Sequence, residues 1–177
     1  LEEKRDLPSL LAAPGRLNVH TAQSLFSFAI CSFRTLTMYT PSSFAVDDLE
    51  TLHNFIRAHS FGILTSVQDT TPLASHLPLL LERETGPHGT LVGHMAKANP
   101  QWKTAADTEV LIIFHGPHAY ISPSWFGDTN VVPTWNYTAV HVHGTLKMET
   151  DPARLHDIVK RYVDHYETGM PTPWKLE

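Results

Sequence analysis

Apolar positions along the chain change period twice, from three to four residues down to two and back again, and the changes mark out the expected elements. Over residues 47–59, Leu49, Leu52, Phe55 and Ile56 recur at three- and four-residue spacing. Asp47, Asp48 and Glu50 sit where the positive end of a helix favours acids, so a helix is predicted there. Gly62 breaks that pattern. Residues 61–67 and 72–82 then read as strands around a turn at 68–71, a hairpin. A second turn at 85–89 leads to a strand at 90–95, and Asn99-Pro100 opens a short helical turn, where a residue lacking its N–H is tolerated. Residues 109–115 suit a buried strand, Gly116-Pro117 predicts a turn, and 118–122 a further strand. After a loop rich in Gly, Asp, Asn and Pro at 127–133, residues 134–148 predict one long strand or a bent pair. Over 152–167, Leu155, Ile158, Val159, Tyr162, Val163 and Tyr166 form one apolar stripe, capped by Asp151, begun by Pro152 and ended near Gly169.

Strands that follow one another through hairpins, with helices only at the margins, predict a mainly β (α+β) protein built on an antiparallel barrel rather than a doubly wound sheet. The segment before Met38 looks different from the rest. Residues 25–33 are apolar but too few to span a bilayer, and no small-residue cleavage site follows them. Residues 1–37 are therefore expected to be a non-native or disordered upstream extension, with the domain occupying 38–177.

Composition narrows the choice of function. Apolar residues make up 42% and charged residues 18% of the 177, as in an ordinary soluble globular protein. The net charge is -5, and no run of Lys and Arg is present, which argues against unaided binding to nucleic acid. Cys31 is the single cysteine, so no intramolecular disulfide can form, in keeping with a cytoplasmic protein.

The motifs of dinucleotide folds, P-loops, nucleophile elbows and zinc proteases are absent. A phosphate would then need backbone N–H groups and Lys, Asn, Ser or Thr side chains at a strand end, and residues 93–102 (GHMAKANPQW) offer them. Lys97 supplies a positive charge there and Asn99 is placed to cap the helical turn; a solvated lysine and a plain cap would look the same. Thr134, Trp135, Asn136 and Tyr137 interleave aromatic with hydrogen-bonding side chains, a mixture suited to a flat heteroaromatic ring or to a strand end in a core. Twelve histidines invite a metal reading, with His141 and His143 alternating onto one strand face, but nothing in their order requires three ligands to converge. No metal ligand and no catalytic residue is assigned.

Several segments in fixed order carry a family resemblance: residues 38–41 (MYTP), 76–78 (HLP), 93–102, 114–123 (FHGPHAYISP), 132–137 (VPTWNY) and 140–144 (VHVHG). Over 38–176 the chain resembles the PaiB-like FMN-binding negative transcriptional regulators. The resemblance implies an antiparallel split β-barrel of the FMN-binding type, a homodimer, and FMN at the subunit interface. It makes Lys97 and Asn99 candidates for the phosphate, with His94 and Ala96 on the same strand end. Thr134, Trp135, Asn136 and Tyr137 would lie by the ring or ribityl chain, and His76 and Ser66 would approach from the hairpin. It also implies a further strand-rich segment past Leu176, so the sequence is read as truncated at that end. DNA would be contacted directly or through a partner, and no membrane is involved. The alternatives are a flavin-dependent oxidoreductase of the pyridoxamine-phosphate-oxidase-like class and a haem- or metal-binding module; the regulator reading makes the chain a non-enzyme.

Overall fold

The period-two alternation becomes a strongly curled antiparallel sheet in the computed structural model, which describes residues 39–127 and 131–176 together with the backbone of 24–29. In chain order the elements are β1 (Ser24–Ala29), α1 (Leu49–Ala58), β2 (Phe61–Gln68), β3 (Thr71–Glu82), β4 (Thr90–Met95), α2 (Gln101–Ala105), β5 (Glu109–Ile121), β6 (Thr134–Met148) and α3 (Pro152–Glu167). Short 3₁₀ turns cover Ser42–Phe44 and Pro123–Trp125. The sheet order β4-β3-β2-β5-β6 makes the curl, and β1 pairs antiparallel with both β4 and β6 to close it. The expected mainly β split barrel with flanking helices is thus present. β1 comes from the segment before Met38; the remainder of that segment, with Met38 and Cys31, lies outside the described residues.

Local chemistry explains the boundaries. Asp48 caps α1 by accepting from the Thr51 N–H at 2.8 Å and the Thr51 hydroxyl at 2.6 Å, and these bonds hold its carboxyl below the usual range. The β2–β3 hairpin turns through Asp69, which takes the left-handed conformation at φ 55°. Asp151 caps α3 through the Ala153 N–H at 3.1 Å.

The expected turn at Gly116-Pro117 is instead a bulge inside one continuous strand. His115 pairs with Ala139 and His118 with Tyr137, so two residues of β5 stand opposite Thr138 alone. Pro117 has no N–H to give to the ladder, and the bulge takes it out of the pairing. Gly116 is required there for space: a Cβ would lie 2.5 Å from Thr138 Oγ1 and 2.8 Å from the Phe55 ring.

Alternate side chains fill the barrel. Leu64, Leu79, Leu91, Met95, Ile112, Phe114 and Leu146 are fully buried and form the core. Ile56 and Phe55 of α1 pack onto it, as do Ala105 and Trp102 of α2. A smaller cluster of Val92, Ile158 and Tyr162 lies between β4 and α3. Glu82 at the end of β3 accepts from Arg154 at 2.5 Å and from Arg161 at 2.6 Å, tying α3 to the sheet.

Substitution of Gly116 by Ala is expected to destabilise the fold by about 1–3 kcal/mol, because Phe55 and Thr138 must both give way. Urea unfolding measures this; an unchanged midpoint would mean that the bulge is not packed as described.

Candidate functional site

The residues singled out from sequence fall into three places. The first is the turn between β4 and α2. Here the Asn99 N–H donates to the Ala96 carbonyl at 2.8 Å, closing a turn that exposes Ala96 and Lys97. The Trp102 indole donates to the Lys97 carbonyl at 3.2 Å, and the Lys97 ammonium makes no ion pair among the described residues.

That turn is anchored from beneath. The buried Gln101 donates through Nε2 to Ser66 Oγ at 3.0 Å, and its Oε1 accepts from Ser75 Oγ at 2.5 Å. Asn99 Nδ2 donates to Ser75 Oγ at 2.8 Å, while Asn99 Oδ1 accepts from the Gln101 N–H at 3.0 Å. The structure therefore brings Ser66 and Asn99 into one network across β2, β3 and α2. The Asn99 amide helps to hold the turn, and the Lys97 side chain is exposed on it. Gln101, the hub, was not among the sequence candidates. Its signal was its position four residues before the buried Ala105, on the inward side of a short helix.

The second place is the face of β4 under α3, and it holds His94. Its ring meets Tyr162 edge-on, centroids 4.9 Å apart, and its Nδ1 is buried without a hydrogen-bond partner. Burial holds this imidazole below its usual pKa. The Tyr162 hydroxyl donates to the Val92 carbonyl at 3.0 Å and also contacts the Pro78 carbonyl; burial is the main cause of its raised pKa. His94 thus lies near the end of β4 with its side chain against α3, whereas Ala96 and Lys97 lie in the exposed turn beyond it.

The third place is the outer face of β3-β2-β5-β6. Side chains paired across a sheet share a face. The pairings His76–Ile63, Ile63–Ile113 and Ile113–His141 therefore make one row, and Thr65–Leu111 and Leu111–His143 the next. Trp135 and Tyr137 lie on this face too, opposite Tyr120 and His118, whereas Thr134 and Asn136 point the other way. The rings touch along the ribbon that β5 and β6 extend beyond the barrel. Tyr120 and Trp135 centroids are 5.9 Å apart, and those of His118 and Trp135 are 6.3 Å apart. Trp135 is 60% and Tyr137 55% exposed, and Trp125 and Phe126 at the tip are exposed as well. Burial, then the neighbouring His143, lowers the pKa of His141. α3 lies over the margin of this face at β3, where Leu80 packs against Ile158 and Tyr162, and the described residues contain no group of three or more His, Cys, Asp or Glu side chains able to hold a metal.

In one copy the phosphate and ring candidates are apart. Leu111 stands beside the Thr65–Ser66 end of the barrel and His118 beside Tyr137, seven residues along β5, or roughly 20 Å at ~3.3 Å per residue.

A split barrel with an anchored cationic turn and an exposed aromatic ribbon belongs to the flavin-binding class of this fold. The family model described as "Putative FMN-binding domain" matches residues 38–177, and the chain belongs to that PaiB-like FMN-binding family, whose cofactor is FMN. The chain is 41% identical over 137 residues to Protease synthase and sporulation protein PAI 2 of Bacillus subtilis, covering 77% of this chain and 65% of that protein. It thus spans just under two thirds of that relative's length. An uncharacterised protein of Aspergillus fumigatus is 33% identical, over 78% of this chain and 72% of its own. One of Saccharomyces cerevisiae is 35% identical, over 63% of this chain and 72% of its own. No helix among the described residues is long and apolar enough to cross a membrane.

Gln101→Leu should cost about 1–3 kcal/mol, since Ser66 and Ser75 lose their buried partner, and should loosen the Lys97 turn. Differential scanning calorimetry and proteolysis within 96–100 check both effects. His94 gives a pH signature. Its folded pKa is depressed, so its contribution to stability is complete above pH ~6.5 and is lost as pH falls below that value, by up to about 1.4 kcal/mol per pH unit. His94→Gln should flatten this acid limb of the stability curve, and a limb of unchanged slope would contradict the buried placement.

Proposed function

We propose that the chain binds FMN between two copies of itself and acts as a negative transcriptional regulator of the PaiB type. One observation carries the two-copy reading: the cationic turn and the aromatic ribbon lie far apart on one chain, so a site using both needs a second chain. The residues suit the cofactor. Lys97 is exposed, without an ion pair among the described residues, on a turn braced by Asn99, Ser75, Gln101 and Ser66, which suits a phosphate site. Trp135 and Tyr137 present ring faces and edges on a two-stranded support, as an isoalloxazine requires. FMN, once bound, supplies a redox-active, strongly coloured ring system. In this reading Lys97 of one copy holds the phosphate, and Trp135 and Tyr137 of the other line the ring and exclude water.

The regulatory reading is supported by kinship with PAI 2 of Bacillus subtilis. The described surface favours repression through a protein partner rather than by direct DNA contact. Arg154 and Arg161, the paired cations of α3, are already held by Glu82 and Asp157, and the net charge is -5.

A complementation experiment tests the shared site. Lys97→Ala and Trp135→Ala are each expected to weaken FMN binding about ten-fold or more, read from quenching of flavin fluorescence. After mixing and exchange, half of the dimers are hybrids, each with one site holding both native side chains, so tight binding should return to about a quarter of the sites. Mixing without recovery would place the site within one chain. Oxidation of NAD(P)H by the loaded protein would move the function to an oxidoreductase.

A further inference from the structure

The same outer face carries an unusual set of charges. Its middle rows hold His141 and His143 on β6, spaced by the strand period and close enough for the charge of one to oppose the other. Across the row from His141 stand Ile113 and Ile63, then His76 on β3; toward the ribbon stand His115 and His118, ring centroids 4.8 Å apart. The other charged groups lie at the margins: Glu109 pairs with Thr145, Lys147 is bound to Asp107 at 2.6 Å, and Glu82, six residues along β3 from His76, is held by Arg154 and Arg161 of α3. β2 contributes Phe61, Ile63 and Thr65, none of them ionisable. No carboxylate therefore stands among the histidines to neutralise them.

We propose that His141, backed by His143, makes association through this face sensitive to pH: neutral imidazoles let two copies close over it, and protonated ones force them apart. The inference rests on the two-copy reading given above. The sign follows from desolvation. His141 is already partly buried in a single copy, and a second copy removes more of its water while bringing another set of like-charged rings. Protons therefore bind the separated copies more tightly than the pair, and association is complete above the ordinary imidazole pKa and weakens below it. An unperturbed imidazole of pKa ~6.5 that must be neutral in the pair would contribute about ten-fold per copy at pH ~5.5; His141 is already depressed in the separated copy, so it raises the dimer Kd by less than the corresponding limit of about hundred-fold.

Sedimentation velocity of the full chain at about pH 8 and about pH 5.5, with circular dichroism at both, decides the matter. The expected result is a dimer at the higher pH, a clearly weaker Kd at the lower (by less than about hundred-fold), and a much flatter response in His141→Gln. A dimer with the same Kd at both pH values overturns the switch while leaving the two-copy reading intact. A monomer at both removes the two-copy reading and the switch with it. An equal acid loss in His141→Gln, whether by dissociation or by unfolding, assigns the effect to other groups and overturns the proposal.

Discussion

The strict alternation of β6 is the constraint on which the rest of the molecule depends. Fifteen residues run from Thr134 to Met148 with no bulge, so every second side chain keeps one phase along the strand. One phase gives Val140, Val142 and Leu146 to the core, and the other gives Trp135, Tyr137, His141 and His143 to the outer face. β5 cannot keep the same phase through Gly116 and Pro117, and the bulge restores it. Without that correction His118 and Tyr120 would turn away from Tyr137 and Trp135, and the aromatic surface would be divided between two faces.

Much of this was legible in the sequence, because helices and strands leave periods that survive any tertiary context. The stripe on α3 and the cap at Asp151 lie where the pattern put them, while Asp48, expected only as one of three acids at the positive end of α1, is its cap. Gly116-Pro117 misled because both residues favour turns, and only the pairings of His115 with Ala139 and His118 with Tyr137 show that the strand continues. β1 was hidden for a different reason. An apolar run beyond the family-matched region has no local feature that distinguishes a strand from an extension; its role follows from the two strand edges it meets.

The candidate site was legible as a set of residue types but not as an arrangement. Lys97 and Asn99 are neighbours in sequence with opposite fates: one side chain is exposed and the other is spent on Ser75 and Gln101. Gln101 escaped notice because polar residues near a helix start are common on surfaces, and burial is decided by what folds against them. His94 and Ala96 lie two residues apart, yet α3 covers only the first. Sequence spacing gives the face of a strand but not the element that lies on it.

Tyr162 has a consequence for the order in which the chain can settle. Its hydroxyl lies against one carbonyl on β3 and another on β4, Pro78 and Val92, and so reads the alignment of those two strands. A slip of one residue between them would turn one of these carbonyls away and leave the hydroxyl without that partner. During synthesis α3 emerges after β3 and β4, so the β3–β4 pairing must first be chosen by its own side chains. Tyr162 then acts as a proofreading contact: it docks on the correct alignment and leaves mispaired forms without their helix.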